Sequence, residues 1–379
     1  MQHNQKKRTI AILGGGNVGT LLAADIARNS RYTVRIFTSR PGEWDNYIDV
    51  LSRNGDVKYT SRVDLISNDP AQIISDSDIV ISTLPSHVFL TVYKRIAQYI
   101  KPETCFGFMP GSGGGELFCK DLIKSGNTVF GFQRVHGIAR LQTYGKSVFD
   151  LGKKEELFIA AIPSSIATDI SAVLKNVLSI PCTPLPNYLN LTLTPSNPIL
   201  HTSRLYSLFR NYKEGEYWEN DVDFYGEWTD HASQILFECD AELQSLCENL
   251  NEIDTSGVRS LKDHYESDTP QKLTKKIRSI KAFENIKAPM EKVGGGFVPD
   301  YNSRYFKEDF SYGLCIIKGF CELLEIRTPA IDKVLTWYEK IANVRYFESG
   351  KFTGRDLKQL PIPQNFDFTS AKDVYRFYK

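Results

Sequence analysis

The sequence predicts two domains of different class: a doubly wound α/β domain on a parallel sheet over residues 1–185, then an all-α domain over residues 186–379. Three observations carry that expectation. Through the first half, short apolar runs alternate with helix-like segments, the pattern of a parallel sheet with crossover helices. After Asn187 apolar residues recur at three- and four-residue spacing, as amphipathic helices require. Between the halves, Cys182-Thr183-Pro184-Leu185-Pro186 punctuates the chain with prolines. A length of 379 residues accommodates two domains at about 150 residues each.

The first element is a strand at residues 9–13, followed at once by Gly14-Gly15-Gly16. Residues 17–28 then carry Val18, Leu21, Leu22 and Ile26 at helical spacing, and residues 32–37 form a second strand. Within this order lies GxGxxG, as Gly14, Gly16 and Gly19. Gly14 permits the tight turn, Gly16 lets backbone approach a pyrophosphate, and Gly19 lets the helix close on the strand. The helix start, at Asn17 and Val18, offers unpaired N–H groups and a partial positive charge to phosphates. The pattern predicts a Rossmann-type dinucleotide site.

The second strand ends in Phe37-Thr38-Ser39-Arg40, where an acid would hold an adenosine ribose. Thr38, Ser39 and Arg40 instead offer hydroxyls and a guanidinium to a 2′-phosphate. NADP is therefore favoured, with NAD as the alternative; nearby Glu43 and Asp45 weigh the other way. Further strands are expected at residues 78–84, 105–109, 128–132 and 157–162, and a closing helix at 164–177. Ligands of an open parallel sheet sit beyond the carboxyl ends of its strands. Pro85, Ser86 and His87, and the loop from Gly111 to Gly115, are candidates for the nicotinamide side, although a glycine loop is equally a plain connector.

In the second half, Ile235, Leu236, Leu243, Leu246 and Leu250 mark one helix, and residues 272–283 and 312–324 mark others. Strand-like alternation is scarce, and the stretch 360–368 reads as irregular before a short last helix. Residues 212–230 are acidic and aromatic. They read as a solvated loop pinned by aromatic anchors, or as a wall for an amine-bearing substrate. Two segments hold candidate chemistry. Residues 194–201 bring prolines and polar groups up to His201. Residues 294–309 begin with three glycines, read as a flexible approach, and continue through Arg304 to Asp309. Arg304 can bind a carboxylate through two parallel hydrogen bonds. Asp309 can orient a histidine and stabilise its charged form, or else complement a helix start.

Other classes are disfavoured. Lys plus Arg is 46 and Asp plus Glu is 45, too even for a dominant nucleic-acid or membrane-surface role. No apolar run approaches the ~20 residues of a membrane span. The basic start leads into glycines rather than a long apolar region, which argues against an export signal. Seven cysteines without CxxC fit a reducing cytoplasm. No HExxH or Cys/His cluster is present, so no metal is expected. GxSxG and P-loop patterns are also absent.

Together, LGGGNVG, PGSGGG, SNPILH ending in His201 and SRYFKEDFSYGL from Ser303 resemble the opine dehydrogenases, the octopine, nopaline and related N-carboxyalkyl amino acid dehydrogenases. The two-domain plan also resembles the wider 6-phosphogluconate dehydrogenase-like superfamily. The resemblance implies a Rossmann domain followed by a helical domain. It implies reductive condensation of an α-keto acid with the amino group of an amino acid, by hydride transfer to a bound imine. It further implies His201 as the proton-transferring residue, Asp309 as its partner and Arg304 as the keto-acid clamp. Thr38-Ser39-Arg40 departs from the acidic ending of strongly NAD-dependent members. The alternatives are a dehydrogenase or reductase of a small hydroxy acid or related keto compound from the same superfamily and a non-catalytic NADP-binding sensor. A monomer and a homodimer are both compatible with the sequence.

Overall fold

A computed structural model describes residues 7–379; the first part of the basic start, and of the expected first domain, lies outside the described residues. The chain divides into two compact units. The first runs to Leu191 and takes in Phe377–Lys379, and the second is Thr192–Arg376.

In chain order the strands of the first unit begin with β1 (Arg8–Leu13), β2 (Tyr32–Phe37), β3 (Tyr47–Leu51), β4 (Val57–Arg62), β5 (Leu65–Ser67) and β6 (Ile79–Ser82). They continue with β7 (Cys105–Phe108), β8 (Val129–Phe132), β9 (Gly137–Thr143), β10 (Ser147–Lys153), β11 (Leu157–Ile162) and β12 (Cys182–Pro184). Eight of them form the main sheet, in the order β12-β11-β8-β7-β6-β1-β2-β5. From β5 to β8 the neighbours are parallel. β11 runs antiparallel to β8, a departure from the purely parallel expectation. The chain leaves the main sheet after β8, forms β9 and β10, and returns in the opposite sense.

β9 and β10 belong to a second sheet, β4-β3-β10-β9, which the sequence reading does not anticipate. Helix Asn17–Ala27 packs against strands of both sheets. That is why its run from Gly19 to Ala24 is buried continuously, where a surface helix would bury only one stripe. Asp25 on this helix ties the layers together. It accepts from Tyr59 of β4 and from Lys153 of β10 (2.6 Å), and pairs with His136 at 3.1 Å. Burial raises the Asp25 pKa, but these hydrogen bonds outweigh it and leave the carboxyl below its ordinary value.

The boundary expected at residue 185 is displaced to Leu191, because residues 188–191 pack on the main sheet. Tyr188 Oη donates to the Gly111 carbonyl at 3.1 Å, and a Cβ on Gly131 would meet Tyr188 Oη at 2.6 Å and Leu191 Cδ1 at 2.8 Å. The chain end also returns to this unit. Tyr378 Oη donates to Glu116 at 2.9 Å, and Ser164 N–H donates to the Lys379 carbonyl at 2.7 Å.

The second unit is mainly helical. Pro198–Phe209 packs on the 20-residue helix Asp230–Asn249, with Pro270–Arg278 and Pro329–Ala342 alongside that longer helix. Helices Arg304–Asp309 and Cys315–Leu323 are joined by a π-type turn, Phe310–Leu314, kinked at Tyr312. The all-α expectation needs one correction. β13 (Met290–Val293) and β14 (Gly296–Pro299) form a hairpin, so Gly294-Gly295-Gly296 is its turn and start rather than a flexible approach. The polar sequence of β13 hides the strand, while Trp218 pairs with Phe297 across two backbone hydrogen bonds.

Candidate active site

In the first unit the glycine turn follows β1 directly. Gly14 has φ +105°, open to glycine and strained for other residues. A Cβ on Gly19 would lie 1.9 Å from the Gly14 carbonyl oxygen, whereas one on Gly16 would meet nothing within 4 Å. The helix is thus closed on the turn, and the space over Gly16 is open. Both properties fit a bound pyrophosphate. Asn17 and Val18 open the helix, but the Asn17 side chain accepts from Leu141 N–H at 2.8 Å. Its Oδ1 is therefore tied to β9.

At the end of β2, Thr38 is buried and its hydroxyl is bonded to Tyr144 Oη at 2.6 Å. This corrects the expectation that all three residues offer polar groups to the adenosine end: Thr38 is already engaged. Ser39 and Arg40 are exposed, with Arg40 paired to Glu43 at 3.1 Å. Pro85 and Ser86 open the helix after β6, beyond its carboxyl end, where His87 is exposed. In the loop after β7, a Cβ on Gly111 would meet Leu191 at 2.8 Å and one on Gly115 would meet the Phe108 ring at 2.4 Å. These two glycines answer to packing.

In the second unit, His201 lies in the first turns of helix Pro198–Phe209 and Asp309 at the end of helix Arg304–Asp309. His201 Nδ1 and Asp309 Oδ2 are 2.7 Å apart. The side chains are only 12% and 13% exposed. The kink explains the meeting. Gly313 lies so close to Pro198 that a Cβ there would be 3.0 Å from the proline ring; the turn after Asp309 is thereby held against the start of the His201 helix. Asp309 ends its helix, which removes the helix-start alternative. Arg304, at the other end, is exposed and has no hydrogen-bond or ion-pair partner among the described residues.

The remaining nitrogen of His201, Nε2, faces Tyr225 Oη at 3.0 Å. Sequence reading placed Tyr225 in the acidic-aromatic loop without giving it a role. The loop does bury Phe224, Tyr225 and Trp228, and its position is fixed from two sides. Phe224 N–H donates to Ile286 O at 2.8 Å, and buried Arg204 donates through Nε to Phe224 O at 2.8 Å. Burial brings the Arg204 pKa down to about 10. Burial, reinforced by Tyr305, raises the Tyr225 phenol far above its ordinary range, so it remains a hydroxyl at any working pH. The Tyr305 ring, 4.8 Å away, and the Phe224 ring, 5.7 Å away, flank the imidazole. No sequence signal singles out this contact, which is made through space between a helix and a loop 24 residues on. Among the described residues no group of three His, Cys, Asp or Glu side chains is arranged to hold a metal, and no helix is long and apolar enough to cross a membrane.

A glycine cradle on a Rossmann sheet, followed by a helical unit bearing a buried His–Asp pair, defines a class: the two-unit NAD(P)-dependent dehydrogenases. Residues 184–342 match the family model of the NAD/NADP octopine/nopaline dehydrogenase alpha-helical domain, and residues 9–107 match the NAD-dependent glycerol-3-phosphate dehydrogenase N-terminus. The tauropine dehydrogenase of Arabella iricolor is 26% identical over 96% of this chain and 99% of its own length. An opine dehydrogenase of Haliotis discus hannai is 26% identical over 95% of this chain and 96% of its own. A structure of octopine dehydrogenase with NADH and L-arginine shares the fold, with TM-score 0.87 at 22% identity over 97% of this chain and 98% of that one. Residues 184–342 thus carry the helical domain of the octopine/nopaline dehydrogenases, and the full-length relatives of this chain are opine-type, NAD(P)-dependent oxidoreductases.

Proposed function

We propose that this protein joins an α-keto acid to the amino group of an amino acid and reduces the resulting imine, with NADPH preferred over NADH. The observation that carries the reading is the His201–Asp309 pair at 2.7 Å, with Nε2 turned toward a hydroxyl. When bound, the nicotinamide supplies the hydride. The chain supplies position and protons. A carboxylate at Nδ1 keeps the ring hydrogen there and makes Nε2 the accepting nitrogen, which in this structure faces the Tyr225 hydroxyl. In forming the imine, the amine must lose a proton and the carbinolamine oxygen must gain one to leave as water. His201 Nε2 accepts the first proton and returns the second, while Asp309 faces the transient imidazolium. Arg304, with its guanidinium unengaged, holds the keto-acid carboxylate in a two-point grip. Gly14, Gly16, Gly19 and the backbone at Asn17 and Val18 cradle the pyrophosphate, and Pro85 and Ser86 lie on the nicotinamide side.

The preference for NADPH is supported by the absence of an acid after β2 and by exposed Ser39 and Arg40. A cytoplasmic setting is supported by seven free thiols. The test is NADPH and NADH oxidation against a matrix of α-keto acids, each with and without a panel of amino acids. Oxidation that requires both partners supports condensation and names the substrates. Oxidation with a keto compound alone replaces this reading with that of a keto-acid reductase. His201→Asn should abolish turnover while leaving cofactor affinity intact; unchanged turnover removes the proton-transfer role.

A further inference from the structure

We infer that Tyr144, in the turn between β9 and β10, determines how the adenosine end of the cofactor is read, by presenting Arg40 to a 2′-phosphate. This rests on the NADPH preference proposed above. Tyr144 comes from the second sheet and touches the cofactor turn at three places. Its hydroxyl takes up Thr38 Oγ1 at 2.6 Å, where dinucleotide folds that read a ribose place an acid. It also abuts the glycine turn: a Cβ on Gly15 would lie 3.1 Å from Tyr144 Oη and 2.4 Å from the Trp44 ring. Finally, the Arg40 guanidinium carbon lies 3.9 Å from the centre of the Tyr144 ring, a cation–π contact.

The turn is held firmly enough to act as a platform. A Cβ on Gly145 would lie 2.6 Å from the Glu43 carbonyl oxygen, and Asp45 N–H donates to Gly145 O at 3.1 Å. Trp44 packs edge-on against Tyr144, ring centres 5.5 Å apart. A guanidinium lying on a ring keeps its N–H groups for partners at its edge. The partner now at that edge is Glu43, at 3.1 and 3.4 Å, with both side chains more than half exposed. An exposed pair of this kind contributes little. A phosphate offers more charge and a two-point geometry, so a 2′-phosphate displaces Glu43, and the neighbouring Ser39 hydroxyl is exposed to join it. Glu43 is thus an internal competitor for the arginine that Tyr144 presents.

The experiment is calorimetric titration of the full chain with 2′,5′-ADP and with 5′-AMP, which differ only in the 2′-phosphate, for wild type and for R40Q, Y144F, Y144L and E43Q. Wild type should prefer 2′,5′-ADP and R40Q should lose that preference. Y144L should weaken 2′,5′-ADP by roughly two- to fivefold, the loss of one surface cation–π contact, with 5′-AMP unchanged. Y144F retains the ring and should retain the preference, which a general folding defect would not allow. E43Q should tighten 2′,5′-ADP by roughly up to fivefold. If R40Q loses discrimination while Y144L keeps it, the role of Tyr144 is wrong and the NADPH reading stands. If wild type binds both nucleotides alike, the NADPH reading fails and takes the inference with it.

Discussion

Replacing Asp309 with asparagine tests the centre of the mechanism. The carboxylate lies 2.7 Å from Nδ1 of a ring whose other nitrogen is 3.0 Å from Tyr225 Oη. Both Asp309 and His201 are mostly sealed from water. A hydrogen bond to a charged group contributes about 1.5–3 kcal/mol, which is about ten- to 150-fold in rate at 1.36 kcal/mol per decade. The amide has a second effect. If its NH2 faces Nδ1, the ring hydrogen moves to Nε2 and the base is lost, a change that reaches ~10⁴ in a comparable histidine–aspartate arrangement. The expected fall in turnover is therefore about 10²- to 10⁴-fold, with cofactor affinity within twofold of wild type. Single-turnover NADPH oxidation at saturating keto acid and amino acid measures the first, and calorimetric titration the second. His201→Asn and the double variant complete a cycle. Residues acting as one unit are non-additive, so the double variant should be no slower than the worse single one. Turnover of D309N within threefold of wild type, or fully additive losses, would refute the reasoning.

Three other outcomes follow from the geometry. Arg304→Lys replaces a planar fork by a point charge; the KM for the keto acid should rise by about tenfold or more while that for the amino acid holds, and an equal rise in both would count against a keto-acid grip. Tyr225→Phe removes the hydroxyl facing Nε2; turnover should fall by about tenfold and its pH profile should move, with NADPH affinity unchanged, whereas an unmoved profile would reduce Tyr225 to packing. Burial raises the Asp240 carboxyl to about 6, so the folded chain keeps a proton that the unfolded chain releases near its ordinary value, and stability falls as pH rises between about 4 and 6. Asp240→Asn should accordingly stabilise the protein near neutral pH and lose that advantage near pH 4, read from denaturation midpoints across the range; a pH-independent difference would show that Asp240 titrates normally.

The parts of this molecule legible in its sequence are those whose physics is local. Gly14, Gly16 and Gly19 announce the cofactor turn because each answers a backbone demand made by its immediate neighbours. The apolar runs of β1, β6 and β8 announce central strands because both faces of that sheet are covered. β4 stays hidden: Val57–Arg62 lies at a sheet edge and is mostly exposed, so nothing in VKYTSR has to be apolar. His201, Arg304 and Asp309 stand out as chemically apt residues in polar segments, but their pairing and roles come only through the family resemblance, since no spacing rule links residues 108 positions apart. Tyr225 and Tyr144 were reached by neither route. Their contacts to His201 and Thr38 are made through space, and an aromatic residue in a loop reads the same whether it anchors or acts. Thr38 shows the converse: its hydroxyl was noticed, but not the tyrosine that occupies it.

The last residues of the chain impose an order of events on synthesis. Phe377–Lys379 belong to the Rossmann unit, and the bond from Tyr378 to Glu116 cannot form until the whole helical unit has been made. At about 5–20 residues per second, the ribosome needs roughly ten to forty seconds for that intervening stretch. During this interval the nascent Rossmann unit is exposed to chaperones and proteases without its final hydrogen bonds. Fragments stopping at Leu191 would remain permanently in that state, so expression of the first unit alone should yield a less stable protein than one to which the closing helix, Ala371–Tyr378, is supplied in trans.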